Sequence, residues 1–252
     1  MAQQESIIKL KGKIGDLSFF KTKDGYQTRA KGGVDGDRIK NDPSYQRTRE
    51  NNAEFAEAAQ ASKKIRDVLR EMILLTRDAK MATRLTSRVF KMIKADTVSL
   101  RGERKVKAES FSILRDFNFN EAAPLNNTLF VNMMANIDRA SGLMELTIPS
   151  ITPEVHLAKP KGATHFQISA GAALVSLDET LEESQLQMTA TSQATVKTAS
   201  PATVLSVNLP PATISPIIFV VSVSFYQEVN SAFYPMNNGA YNALCIVAID
   251  IA

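Results

Sequence analysis

The residues able to do chemistry are few, and their spacing is unhelpful for catalysis. His156 and His165 are the only histidines; they lie nine positions apart with no carboxylate cluster beside them, which fits no usual metal motif. The single cysteine, Cys245, excludes an intrachain disulfide and sits in an apolar run from Ala243 to Ile249, the setting of a buried, inert thiol rather than a nucleophile. No serine lies in a GxSxG elbow. Asp178, Glu179, Glu182 and Glu183 could form an acid–base pair or hold calcium, but they lack the DxDxDG spacing of a calcium loop and read as an exposed, solvated loop or helical turn. His165 reads as a surface imidazole on the polar side of a strand. No enzyme, cofactor or metal is expected.

A different chemistry is concentrated near the N-terminus. Lys9, Lys11, Lys13, Lys21, Lys23, Arg29 and Lys31 are interleaved with Phe19, Phe20 and Tyr26. Cations mixed with aromatic rings can bind nucleic acid through phosphate pairing and base stacking. They can equally be lysines guarding the wet edge of a sheet whose rings face a core. Arg38, Lys40, Arg47 and Arg49 follow, diluted by Asp35, Asp37, Asp42 and Glu50, which favours salt-bridged packing over phosphate binding. The segment Lys31–Gly36 has neither a phosphate-loop nor a dinucleotide fingerprint and reads as a Gly-rich connector. Phe19, Phe20, Tyr26, Arg29, Lys31, Arg38, Arg47 and Arg49 are therefore the candidate assembly contacts.

The elements that must position these residues can be read in order. Residues 5–30 alternate as strands, with Asp24-Gly25 favouring a type I′ hairpin turn. Such a hairpin is too small to hide its aromatic rings by itself. Asp42-Pro43 is a helix start, because Asp42 can cap free N–H groups and Pro43 has none to lose. Phe55, Ala58, Ser62, Ile65, Leu69 and Met72 then form a stripe on a helix reaching about Leu75. A second helix carries Met81, Leu85, Val89 and Met92, giving an antiparallel helical hairpin. Residues 96–109 are polar and charged and read as a linker. Beyond Ser110, strands are expected at 111–119, 128–135, 142–149, 164–175, 184–192, 203–209, 216–227 and 243–251, an antiparallel β-sandwich of immunoglobulin-like architecture without that fold's Cys–Trp–Cys core. The predicted fold is thus α+β: a basic hairpin and turn (1–40), a two-helix hairpin (41–95), a linker (96–109) and a β-sandwich domain (110–252).

Composition places the 252-residue chain among ordinary globular proteins, with 44% hydrophobic and 22% charged residues. Its net charge of +4 conceals an asymmetry: residues 1–110 carry 25 Lys+Arg against 15 Asp+Glu, and residues 111–252 carry 5 against 11. The first residues lack the basic and apolar regions of a secretory signal, and no run approaches the length of a membrane helix. The expected compartment is the cytoplasm, unless a signal-independent route exports the protein.

The stretches GKIGDLSFFKTKDGY (12–26), KGGVDGDRIKNDPSYQRTREN (31–51) and EFA (54–56) resemble a family of uncharacterised Bacteroidota proteins. That family has a Gly-bounded hairpin, a basic turn and a "DP…QRTREN…F" helix opening, and the resemblance covers residues 7–70 well. It implies no reaction or cofactor. It marks Gly12, Gly15, Gly25, Gly32, Gly33, Asp42, Pro43, Arg47, Arg49 and Phe55 as pattern positions, with the arginines binding carboxylates or carbonyls. The function expected from all of this is a non-enzymatic structural protein whose partner is itself, the basic half of one copy meeting the acidic strands of the next. Nucleic acid on the basic half is the first alternative. The second is a sugar- or peptide-binding β-domain using Tyr226, Phe233, Tyr234 and Tyr241, which could equally cap the strands. No membrane or metal partner is expected.

Overall fold

The computed structural model describes residues 2–4, 8–30, 32–177, 180 and 183–251, and divides into two compact units, Met1–Glu50 and Asn51–Ala252. The first unit holds β1 (Ala2–Gln3), β2 (Gly12–Ile14), β3 (Leu17–Thr22), β4 (Gly25–Ala30) and the short α1 (Gly36–Asn41). Its strands form one antiparallel sheet in the order β1-β4-β3-β2. The turn joining β3 to β4 is not type I′. Lys23 and Asp24 stay out of the positive-φ region that both central residues would need, and only Gly25 takes positive φ (111°). The helix start at Asp42-Pro43 forms as the pattern predicts: the Ser44 amide donates to the Asp42 carboxylate at 2.9 Å.

The second unit contains most of α2 (Gln46–Val68), then α3 (Arg70–Ile73) and α4 (Met81–Lys94). Two single-turn helices follow, α5 (Leu125–Thr128) and later α6 (Pro153–His156). Its strands are β5 (Met134–Asp138), β6 (Leu143–Ile148), β7 (His165–Leu174), β8 (Gln185–Ala190), β9 (Ala194–Thr195), β10 (Thr203–Asn208), β11 (Ile217–Val229), β12 (Ala232–Pro235) and β13 (Ala243–Asp250). They make two antiparallel sheets. One is β10-β6-β5. The other is a curled six-stranded sheet in which β11 pairs β7 on one side and β13 and β12 on the other, with β8 and β9 beyond β7.

Burial explains the layering. Phe219, Val221, Val223 and Phe225 of β11 share a core with Met144 and Leu146 of β6 and Leu205 and Val207 of β10. Ile218 and Val220, pointing the other way, share a second core with Ile65, Leu69 and Met72 of the α2–α3 region and with Leu85, Val89 and Met92 of α4. A strand enclosed on both faces is apolar almost without interruption, which is the run from Ile217 to Val221.

Three expectations fail locally. Residues 111–119 form 3₁₀ turns and one isolated bridge instead of a strand, turning both Phe111 and Leu114 into the helix-side core. The strand predicted at 128–135 begins only at Met134. Phe55 leaves the helix stripe: it is 52% exposed and packs edge-on against Phe90 at 5.9 Å, while Glu54 takes the buried position. The residues expected as a linker are tied down. Buried Glu54 accepts from the Gly102 amide at 2.9 Å, Val106 enters the helix-side core, and buried Asp96 accepts from the Val98 and Ser99 amides and from Lys107 at 2.9 Å.

The Ser99 hydroxyl, the Lys107 ammonium and those amides hold the Asp96 carboxyl well below its ordinary value of 3.8. A depressed folded-state value means the contribution is complete above about pH 4 and is lost as the pH falls further, since protonation removes the acceptor of all these donors. Asp96→Asn is expected to lower stability at neutral pH and to flatten the acid limb of the unfolding free energy measured against pH. An acid limb as steep as in the parent protein would contradict this.

Candidate assembly surface

Direct pairing across the first unit's sheet fixes which side chains share a face. Gly12 lies opposite Phe19 and Ile14 opposite Leu17, while β4 sets Ala30 opposite Leu17, Thr28 opposite Phe19 and Tyr26 opposite Lys21. Residues paired this way project to one side. That side therefore presents Ile14, Leu17, Phe19, Tyr26 and Ala30. Ile14 is 60% exposed and Leu17 42%, and Phe19 and Tyr26 are only half-buried. The Lys21 and Lys9 ammonium groups stand over the Tyr26 ring at 5.5 and 5.9 Å. The opposite side carries Phe20, with the Arg29 guanidinium 5.9 Å above it.

No described residue of the first 50 is buried. Four strands normally need one enclosed face to be independently stable, and here the apolar face is formed but left open.

The remaining candidate contacts separate into two groups. Arg49, half-buried, donates to the Ile39 and Asp42 carbonyls at 2.8 and 2.9 Å, and Arg38 pairs with Asp42 at 3.2 Å while lying over Tyr45. These two arginines close the α1 turn onto the helix start. Hydrogen bonds from the Ser44 hydroxyl and amide, and then from Arg38, lower the Asp42 carboxyl below its ordinary value. Arg29 and Arg47 are exposed. Lys31 lies outside the described residues, as do Asp178, Glu179 and Glu182 of the acidic stretch. Ile14 escaped the sequence reading, although its place across the Gly15-Asp16 turn from Leu17 extends the same alternation.

The reactive residue types sit in structural roles. Burial, with the Asp116 charge nearby, pushes the Cys245 thiol up to about 12, leaving it protonated and unreactive. His156 accepts from the Thr152 amide at 3.0 Å. His165 is not the surface imidazole the strand pattern predicts: its side chain is 15% exposed, meets the Phe233 ring edge-on at 4.8 Å and lies 3.8 Å from Glu228. Phe233 and Tyr234 are consecutive on β12 and so face opposite ways, and the Tyr226 hydroxyl donates to Gln167 at 3.1 Å. Among the described residues no group of three His, Cys, Asp or Glu side chains could hold a metal ion, and no helix is long and apolar enough to cross a membrane.

The charge asymmetry also changes meaning. Residues 1–50 carry 11 Lys+Arg against 7 Asp+Glu, and residues 51–252 carry 19 of each. The basic helices and the acid-rich strands lie within one unit and neutralise each other there, so the whole excess of +4 belongs to the first unit. Compared with protein-family models, curated proteins and solved structures, the chain matches none, so the resemblance of residues 7–70 to Bacteroidota proteins rests on its motifs alone.

Proposed function

We propose that the protein is a non-enzymatic structural component that self-associates into a homo-oligomer, filament or particle, its first unit meeting the acid-rich strands of another copy. The observation that carries this reading is the open face of Ile14, Leu17, Phe19 and Tyr26 in a unit whose described residues include no buried side chain. Association would give that sheet the second apolar layer it lacks, and the lysines around Tyr26 would favour a partner surface rimmed with carboxylates. A patch on the first unit binding a different patch on the next copy gives a head-to-tail contact, which closes into a ring or runs on as a filament. In the same reading the two sheets of the second unit are the layers of an immunoglobulin-like sandwich, and the protein works in the cytoplasm.

Light scattering coupled to size-exclusion chromatography tests the idea. A mass at a multiple of 27.6 kDa is expected at low salt, falling as salt rises, because charges at the rim are screened over about 8–10 Å. A 27.6 kDa species at every micromolar concentration and every salt would overturn it.

A further inference from the structure

We propose that a cleft beside α4 binds the phosphate of a small phosphorylated, hydroxyl-bearing ligand such as a sugar phosphate. This does not depend on self-association. The cleft has a volume of about 460 Å³, within the usual range for small-molecule sites. One wall is α4, which contains four cations and no carboxylate. Arg84, Ser87, Arg88 and Lys91 recur there at three- and four-residue spacing and line the cleft together.

The cations differ in how they are engaged. Arg84 is fixed: it pairs with Asp78 at 2.5 Å, donates to the Asn118 and Phe119 carbonyls at 2.9 and 3.3 Å and lies over the Phe117 ring. Its Nε–H is nevertheless buried with no hydrogen-bond partner among the described residues, the Glu121 carboxylate standing 3.7 Å away. Among the described residues Arg88 and Lys91 have no ion-pair partner, although they line the same space. The Arg88 guanidinium and the Ser87 hydroxyl, each about one helical turn from the Lys91 ammonium, offer with it the fork and point charge that phosphate oxygens accept from.

The facing wall is held in place. Asn118 bridges to Cys245 in β13 and its side chain accepts from the Leu125 amide, while Phe117 and Phe119 are buried. That wall carries Asp116 and Glu121 into the cleft. Two carboxylates opposite the cations would repel a long run of phosphates but accept hydrogen bonds from hydroxyls. The combination selects one phosphate attached to a hydroxyl-rich body over a nucleic-acid backbone.

Isothermal titration of the full chain with ribose 5-phosphate, ribose and a single-stranded DNA 12-mer tests this. Saturable binding of ribose 5-phosphate without binding of ribose is expected. Arg88→Ala and Lys91→Ala should each weaken it about ten-fold, the loss of one charge-assisted hydrogen bond. Lys94→Ala should not, since Lys94 lies over Phe90 outside the cleft. The unfolding midpoints of the Arg88 and Lys91 variants should equal the parent's, which separates lost binding from lost fold. Absence of saturable ribose 5-phosphate binding, affinity unchanged in both variants, or binding of the 12-mer alone would each overturn the proposal.

Discussion

Phe19→Asp is expected to abolish the proposed self-association, leaving a 27.6 kDa species whose second unit is folded. Phe19 sits in the middle of the open face, between Gly12 on β2 and Thr28 on β4, so a carboxylate there must be desolvated when a partner sheet closes over it. A central aromatic contact is worth about 2 kcal/mol or more, so the dissociation constant should rise roughly thirty-fold or beyond. Leu17→Asp, beside it on the same face, should act alike. Phe20→Asp is the internal control, because Phe20 points to the other side, beneath Arg29. Neither Phe19 nor Leu17 belongs to the two cores of the second unit, so circular dichroism and the unfolding of that unit should not change. Sedimentation velocity reads the outcome. If Phe19→Asp assembles as tightly as the parent, the face is not the contact.

The strands that alternate or run apolar were legible. Those at 142–149, 164–175, 184–192, 203–209, 216–227 and 243–251 appear within a residue or two of their expected bounds, because side-chain period and turn residues act locally. What escaped was which layers cover which. Residues 111–119 alternate plausibly, but a position in 3₁₀ turns lets Phe111 and Leu114 both reach the helix-side core, and that outcome depends on helices lying elsewhere in the chain. Phe55 matched the helical period, yet the neighbouring Glu54 was drawn inside by the Gly102 amide and Arg104, partners 48 and 50 positions away.

The apolar run of β11 marks a buried strand, and it also carries a signal of the layering. β11 is apolar at both odd and even positions from Ile217 to Val221, so both faces of its sheet had to be covered. The three-stranded sheet covers one face only. The amphipathic helices were the remaining apolar surface in the chain large enough for the other. The candidate sites follow the same division. The aromatic residues of β3 and β4 could be located from sequence, whereas the face of Phe19 and Tyr26 depends on pairing register. The α4 cleft requires knowing that the 115–124 segment stands opposite Arg88 and Lys91.

Asn242→Ala should be among the most destabilising single changes available in the second unit, at about 2–4 kcal/mol. Asn242 is 3% exposed and joins three segments: its Oδ1 accepts from the Phe225 amide at 3.0 Å, its Nδ2 donates to the Leu75 carbonyl at 2.7 Å, and its own carbonyl accepts from Asn120 at 2.8 Å. Alanine keeps the backbone and removes the partner of two polar groups, the buried Phe225 N–H and the part-buried Leu75 C=O. Among the described residues, the backbone bond then left between the α3–α4 joint and the turn before β13 runs from the Arg77 amide to the Gly239 carbonyl at 3.2 Å. Gly239→Ala attacks that joint independently, since Gly239 has φ +79° and a Cβ there would lie 2.4 Å from the Leu75 oxygen. For a chain of this size the loss in Asn242→Ala corresponds to a fall in Tm of roughly 4–16 °C. Tyr241→Ala, the adjacent and 46% exposed residue, should cost under about 1 kcal/mol. Urea unfolding of the three variants decides the matter: if Asn242→Ala costs no more than Tyr241→Ala, the asparagine bridge is incidental to holding the helices in place.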